Sequence, residues 1–298
     1  MTTPAEQRAL LQLHACVLLW GFTAILGKLI TLPATVLVIW RMGLVAAVLL
    51  LWPRVWRGLR AMPRKMILIY SALGILIALH WLTFYASIKL SNASVAVACM
   101  ALGSVSAAII DPFVNPRRHD FHEIGLGLLA IPGVLLIVGG VPLDMRLGIA
   151  IGILSAILTA LFSSLSKRYY TDADPAAITF LEMTSGTVLL VAAGFLLLSS
   201  DTLTALPTEL DLLWLIALAM ACTLLPFLLW LDALKYITAF TTQLAVNLEP
   251  VYAIILAALI FQEHKELSVQ FYLGALVVLS TIVLQPLLTR RLTPRTSD

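Results

Sequence analysis

The chain has 298 residues, of which 61% are hydrophobic and only 12% are charged, and its mean hydropathy is +1.00. An ordinary soluble domain carries about 25% charged residues, so this composition excludes a soluble globular protein and indicates one that lies in a lipid bilayer. The formal net charge of +3 comes from short Lys and Arg clusters between long apolar runs, and no nucleic-acid partner is expected.

Ten apolar segments are long enough to cross a membrane as helices, because about twenty apolar residues cover roughly 30 Å of hydrocarbon. Each break between them carries a turn or charge signal, such as Pro33 or the run from Arg54 to Lys65. Loops this short make neighbouring helices antiparallel. The first to tenth predicted spans are 10–30, 35–53, 66–88, 93–113, 123–141, 147–167, 176–199, 212–234, 239–262 and 268–288.

Lys and Arg are distributed unequally between the two sets of loops. Of the 19 basic residues, fourteen lie on the side of the N-terminus, and the other side has four, which are Lys28, Lys89, Arg146 and Lys265. Loops rich in Lys and Arg stay in the cytoplasm. We therefore expect a multi-pass protein of a bacterial inner membrane with both termini in the cytoplasm.

Two segments resemble each other at an offset of 146 residues: 86–93 (ASIKLSNA) and 232–239 (DALKYITA). Both follow the third helix of a five-helix unit. Because five is odd, the second unit must enter the membrane upside down, which is the inverted-topology repeat of many transporters. The sequence thus predicts an all-α integral membrane protein with ten transmembrane helices in two inverted five-helix repeats, residues 1–145 and 146–298.

Three stretches carry a family resemblance: Leu19-Trp20-Gly21-Phe22, FYASIKLSNASVAVACMALGSVSAAIIDPFV from Phe84, and DALKYITAFTTQLAVNLEPVYAIILAALIFQE from Asp232. They resemble the drug/metabolite transporter superfamily, specifically its EamA-type ten-helix members. The resemblance implies transport of small organic solutes, often efflux of amino acids or metabolites, without ATP hydrolysis. One departure from the family pattern lies in the fourth helix. Members of the family often have a proline there, at the position that corresponds to Pro250 of the ninth helix, whereas this chain has Ser104.

Two charged residues lie inside the second and seventh spans, where such groups cost about 2.5–3.5 kcal/mol and are functional candidates. Aligning Pro33 with Pro175 places Arg41 and Glu182 at nearly equivalent, oppositely facing depths. We hypothesise that they flank the transport pathway, with Arg41 contacting the carboxylate of a zwitterion and Glu182 its ammonium group. The alternatives are a structural ion pair, or snorkelling toward each membrane surface.

The third span carries His80 near mid-membrane, with Trp81, Phe84 and Tyr85 beside it. An imidazole there could hydrogen-bond substrate or take up a proton. His80, Trp81 and Tyr85 are therefore candidate pathway residues, and a satisfied interhelical histidine is the alternative.

Polar and aromatic faces of the first and sixth spans give further candidates. Trp20 lies mid-span, away from the interfaces where tryptophan is usually enriched, with Thr23 three residues later. Thr159 and Ser163 continue a hydroxyl face that could line the cavity. Ordinary helix packing is the alternative for all four residues.

Three prolines, Pro132, Pro226 and Pro250, lie inside predicted spans, and each leaves a carbonyl without its usual donor. They are candidate bends for alternating access. Glu249 precedes Pro250 and is a candidate for proton coupling.

These observations predict a secondary transporter that works by alternating access and exports a small amphipathic solute, such as a neutral or aromatic amino acid. A nucleotide-sugar, organophosphate or drug carrier is the alternative, although phosphate cargo would require several cations. A different class of protein, an intramembrane enzyme or a scaffold, is a further alternative, but the H-E-x-x-H and G-x-S-x-G motifs of enzymes are absent from the sequence. We expect no cofactor and no metal, a monomeric state, and a solvated turn at the cluster His119, Asp120, His122 and Glu123.

Overall fold

The computed structural model of the protein describes residues 4–115, 131–169, 173–233, 236 and 248–292, and over these ranges it is helical without strands. The helices are α1 (Pro4–Leu29), α2 (Ala34–Leu50), α3 (Pro53–Ala61), α4 (Arg64–Leu90), α5 (Ala93–Met100), α6 (Gly103–Val114), α7 (131–139), α8 (Arg146–Arg168), α9 (Pro175–Leu197), α10 (Ser200–Leu203), α11 (Glu209–Ala219), α12 (Leu225–Ala233), α13 (Glu249–Phe261) and α14 (Val269–Leu292). A π-helical turn (Met220–Leu224) joins α11 to α12, and 3₁₀ turns occupy Leu143–Met145 and Glu263–Lys265.

The described helices follow the order of the predicted spans. Five are long and apolar enough to cross a membrane, and two bent pairs of shorter helices raise the number to seven. Large parts of the fifth and ninth predicted spans, and the segment 119–123, lie outside the described residues. The all-α membrane architecture expected from the sequence is confirmed.

Two predicted spans differ in shape from single straight helices. The second ends at Leu50, and the chain then turns by 88° into α3, a segment that the charge pattern had assigned to a loop. The fourth is divided into α5 and α6, with 42° between Ala93–Met100 and Val105–Val114. Gly103 follows this bend, and glycine is a common cause of one. A break in the fourth span therefore occurs without the proline that the resemblance led us to look for at position 104.

The two halves are interleaved. Helix α1 packs against α12 and α13, whereas α8 packs against α4, α5 and α6. Each half thus places its first transmembrane helix against the third and fourth helices of the other half. Helices α2 and α9, the second helix of each half, pack against each other. These reciprocal contacts are those that two related five-helix repeats make around a common axis.

Small residues allow the closest of these contacts. Helix α8 buries a stripe spaced by four residues, as predicted, and it consists of Gly148, Gly152, Ala156, Ala160 and Ser164. A Cβ atom at Gly148 would lie 2.7 Å from that of Ser91, and one at Gly152 would lie 2.9 Å from that of Cys99. Neither position has room for a side chain, so glycine fixes how closely α8 approaches the first half.

The three candidate bends lie in different settings. Pro226 is the second residue after the π turn, and Pro250 is the second residue of α13, with residues 237–247 before it outside the described part of the chain. The bend predicted at Pro250 therefore stays a prediction. Pro132 lies beside the undescribed segment 116–130. The sequence analysis overlooked Pro112, which lies within α6.

Candidate functional site

Arg41 lies about two turns into α2 and is 2% exposed. Its Nε donates a hydrogen bond to Thr223 Oγ1 at 2.8 Å, and its Nη1 donates to Tyr85 Oη at 2.7 Å. The guanidinium carbon lies 3.7 Å from the centroid of the Trp81 ring, a cation–π contact. Because Trp81 and Tyr85 belong to the first half and Thr223 to the second, Arg41 lies at the junction of the two halves.

The π turn explains how Thr223 reaches Arg41. The hydroxyl of Thr223 accepts from Arg41 and donates to the carbonyl of Leu218, five residues earlier, at 2.8 Å. Pro226 has no N–H with which to bond the carbonyl of Cys222, so a regular α-helix is already disfavoured here. Such π turns inside α-helices are frequent at functional sites. The bend predicted at Pro226 is therefore a change in helix type just before it.

The structural ion pair that was one alternative for Arg41 and Glu182 is not formed. Ion pairs within the described residues join Lys28 to Glu263 and Arg54 to Asp174, so Arg41 and Glu182 form no structural ion pair. Glu249 lies within range of a charge interaction with Arg41, although beyond the 4.0 Å of an ion pair. The hypothesis that Arg41 and Glu182 flank the transport pathway stays a prediction, because equivalent depths on two helices do not determine which side chains face the same space.

Glu182 is nevertheless unusual. Its side chain is 4% exposed, and its carboxylate accepts no hydrogen bond from the described residues. Its backbone lies against Gly74 of α4, where a Cβ atom would approach the Cα of Glu182 to 2.5 Å. The backbone of Glu182 therefore forms part of the close contact between α4 and α9.

An aromatic surface continues from Arg41 into the second half. The Trp81 and Phe227 rings meet edge to face at 5.9 Å, and Phe227 meets Trp230 at 6.5 Å. Trp20 and Tyr252 pack with Trp230 against the buried residues Leu13 and Val17. The sequence analysis missed Phe227 and Trp230, although the 146-residue offset relates them to Trp81 and Phe84 and would have found them.

His80 faces a different neighbour. Its Nδ1 lies 3.0 Å from the carbonyl oxygen of Ser155 and 2.9 Å from the hydroxyl of Ser155, which in turn donates to the carbonyl of His80. The ring also stacks on Phe84 at 6.3 Å. These contacts match the satisfied interhelical histidine that was the alternative for this residue. Trp81 and Tyr85, in contrast, join the Arg41 cluster.

The remaining candidates are dispersed. The hydroxyl of Thr23 donates to the carbonyl of Trp20 in its own helix, at 2.5 Å, and Trp20 is half-buried. Thr159 is half-buried beside Gly103, whereas Ser163 is exposed. The predicted hydroxyl face of the sixth span therefore has no uniform environment.

The part of the chain that the structure describes holds no cluster of three or more His, Cys, Asp or Glu side chains that could bind a metal ion. What the described site offers is one buried guanidinium, an acid within electrostatic range, and an aromatic wall.

Comparison with known proteins places the chain in a family. The profile of the EamA-like transporter family matches residues 7–139 and again 146–285. The chain is 26% identical over 251 residues to the "Uncharacterized transporter YyaM" of Bacillus subtilis (strain 168), a match that covers 80% of each protein. A solved crystal structure, 17% identical, has a similar fold with a TM-score of 0.64 over 95% of this chain and 98% of that one. With two matches that together span nearly all of its length, the chain belongs to the EamA-like transporter family and is a multi-pass membrane transporter of small molecules.

Proposed function

We propose that this transporter exports a neutral or aromatic amino acid, or a closely related amphipathic metabolite, across a bacterial inner membrane, and that Arg41 binds its carboxylate. The observation that carries the proposal is a guanidinium that is 2% exposed, lies between the two halves, and has no carboxylate within 4.0 Å among the described residues. A buried charge without an ionic partner is costly, so an anionic group of the substrate would stabilise it.

The remaining donors of Arg41 suit a single carboxylate. Nε and Nη1 are bonded to Thr223 and Tyr85, while Nη2 makes no hydrogen bond to the described residues. Thr223 and Tyr85 hold the planar guanidinium in place on the Trp81 ring, so its orientation is set before substrate arrives. One cation matches one carboxylate, whereas the phosphates of nucleotide sugars or organophosphates would require several.

The ammonium group of an amino acid requires an acid near Arg41. Glu249 is half-buried and its charge acts on Arg41 without forming an ion pair, so we assign the ammonium contact to it. Glu182, the acid first considered, is a second candidate, and the experiment below separates the two.

The aromatic surface supports an amphipathic or aromatic substrate side chain. Trp81, Phe227 and Trp230 extend from the cation into the second half. Stacked or edge-to-face aromatic contacts contribute about 0.5–1.5 kcal/mol beyond the burial of their area. A substrate with a carboxylate at Arg41 could place an apolar side chain on this surface.

Movement of the two repeats, residues 1–145 and 146–298, would expose the site to each side of the membrane in turn. The contacts of α1 with α12 and α13 and of α8 with α4 and α5 cross between these repeats. The π turn before Pro226 is a local irregularity at which the helix formed by α11 and α12 can bend. We propose that one monomer suffices, since the described site lies within one chain.

Transport by purified protein in liposomes tests the proposal. Loaded with radiolabelled phenylalanine, leucine or alanine, wild-type liposomes should show saturable release and exchange. Arg41→Gln should reduce substrate affinity by about ten-fold to a hundred-fold, since a hydrogen bond to a charged group contributes about 1.5–3 kcal/mol. Arg41→Lys should restore little of the substrate affinity, because an ammonium group lacks the planar arrangement of donors that a guanidinium has. Arg146→Gln, which removes an exposed cation, is the matched control.

The acidic variants then assign the ammonium group. Glu249→Gln should weaken the binding of an amino acid but not that of its deaminated analogue. Glu182→Gln should affect the binding of the two compounds equally. The reverse result would return the ammonium contact to Glu182. If folded wild-type protein moves no amino acid, this substrate class is excluded and drug-like or nucleotide-linked solutes come next.

A further inference from the structure

Helix α3 lies across the end of α2 rather than continuing it. Its axis makes an angle of 88° with that of α2, and Trp52 and Trp56, both about 40% exposed, lie at the turn. Because α2 crosses the bilayer, a perpendicular helix at its end lies in the plane of the membrane surface. Tryptophan is enriched at that level.

Helix α3 has one basic face and one apolar face. Arg54, Arg57 and Arg60 recur at every third residue and are all exposed. On the other side Val55 is fully buried, and Leu59 packs against the core of the bundle. A short basic helix of this kind, with its apolar side against the bundle and exposed tryptophans beside it, lies in the headgroup region with its cations toward the phosphates.

Contacts with α9 hold α3 in this position. A Cβ atom at Gly58 would lie 2.8 Å from that of Ala177, and Arg54 forms an ion pair with Asp174 at 2.5 Å. The nitrogen of the Trp56 indole donates to the carbonyl of Leu50 at 2.9 Å. The position of α3, and with it the side of the protein on which the basic face lies, is therefore fixed by contacts within the protein.

The cations of this face are mostly uncompensated. Asp174 is already bonded to Arg54, and Arg57, Arg60, Arg64 and Lys65 are exposed with no acidic partner among the described residues. Four cations without an acidic partner in the described part of the chain, beside the exposed Trp52 and Trp56, match a surface of closely spaced phosphates above hydrocarbon. A soluble acidic protein would not meet both features.

We propose that the basic face of α3, together with Arg64 and Lys65, binds the headgroups of anionic phospholipids and that their binding stabilises the folded transporter. The complementarity is between guanidinium and phosphate oxygens, and it is reinforced by the negative surface potential of an anionic leaflet. The inference concerns the membrane rather than the transported solute, so it does not depend on the proposed function.

Lipid-dependent thermal stability of the full-length protein tests the proposal. Purified protein is placed in mixed micelles that contain either phosphatidylglycerol or phosphatidylcholine, and its Tm is measured with each. The wild type should have the higher Tm with phosphatidylglycerol, and the double variant Arg57→Gln/Arg60→Gln should lose at least half of that difference. The double variant Arg146→Gln/Lys265→Gln removes the same charge from exposed sites outside α3 and should keep it.

Salt provides a second measurement that needs no variant. At 1 M salt the screening length is about 3 Å, so the preference of the wild type for phosphatidylglycerol should largely disappear. Equal Tm values in the two lipids at low salt would overturn the proposal. So would a phosphatidylglycerol preference that survives in Arg57→Gln/Arg60→Gln, or one that both double variants lose to the same extent, because charge alone and not α3 would then account for it.

Discussion

The two ends of the helix bundle are held together by contacts of different kinds. At one end, which we call the Lys28 end, Glu263 accepts hydrogen bonds from Lys28 Nζ at 2.7 Å and from the backbone N–H groups of Ala93 and Ser94 at 3.2 and 2.8 Å. Asp211 there accepts from both the N–H and the hydroxyl of Thr31, each at 2.7 Å. Glu263 and Asp211 are 0% and 2% exposed.

The opposite end, which we call the Arg54 end, has weaker links between the halves. Arg54 pairs with Asp174, but the Arg54 side chain is 52% exposed. The hydroxyl of Tyr70 donates to the carbonyl of Tyr169 at 3.1 Å. Exposed ion pairs contribute about 0.2–1 kcal/mol, whereas a buried carboxylate that loses its partner is costly. The halves should therefore separate more readily at the Arg54 end than at the Lys28 end.

The largest effect is expected from Glu263→Gln. The variant removes the charge that Lys28 requires and one of the two oxygens that cap the start of α5, so the free energy of unfolding should fall by about 2–4 kcal/mol. Thermal unfolding of the purified protein in detergent measures the loss. Glu266→Gln, an exposed acid three residues later, should change the Tm little. Equal losses in the two variants would show that the Lys28 end is not held by buried charge.

A smaller loss of stability is expected from Gly74→Ala, a substitution that lies between the two ends of the bundle. An added Cβ atom would collide with the carbonyl oxygen of Glu182 and the hydroxyl of Ser185, so α4 and α9 would have to separate, at a cost of about 1–3 kcal/mol. Gly43→Ala is the matched control. Its Cβ atom would lie 3.8 Å from Thr187, which is ordinary contact, and alanine in a helix should be neutral or stabilising. Equal Tm values for the two variants would mean that no close backbone contact at Gly74 sets the distance between α4 and α9.

The smallest effect is expected from Arg54→Gln at the other end. Loss of an exposed pair should reduce stability by less than about 1 kcal/mol, and addition of salt should reduce the difference further. The same unfolding assay, run at low and high salt, measures both the loss of stability and its dependence on salt. A loss as large as that of Glu263→Gln would abolish the distinction between the ends.

The bilayer itself makes much of the fold predictable from sequence. Its thickness sets the length of an apolar helix, so the order of the spans could be inferred without any knowledge of packing. The small residues of α8 were equally informative, because only such residues permit the contacts of Gly148 and Gly152. Helix α3 was missed because a run of arginines resembles a loop until its apolar side chains are placed on one face.

The candidate site was less predictable because it depends on how helices are rotated about their axes. Arg41, Trp81 and Tyr85 were identified individually, but hydropathy gives no information that Thr223 completes their cluster. Depth along the helix placed Arg41 and Glu182 at equivalent levels, but it could not indicate that Glu249 lies within range of a charge interaction with Arg41. Phe227 and Trp230 could have been predicted by applying the 146-residue offset to side chains within the helices as well as to the loop segments.

The π turn at Met220–Leu224 places one extra residue in the helix that runs from α11 to α12. A π turn absorbs this residue within about the rotation and rise of one α-helical turn, so α11 and α12 keep nearly the phase of a regular helix. Deleting one residue of the turn should therefore leave Phe227 and Trp230 facing the first half, but it would remove the contact from the Thr223 hydroxyl to the carbonyl of Leu218, five residues earlier. A deletion in the regular part of α12 would instead rotate everything beyond it by about 100°, so the number of residues on each side of the π turn is itself a determinant of what the transporter recognises.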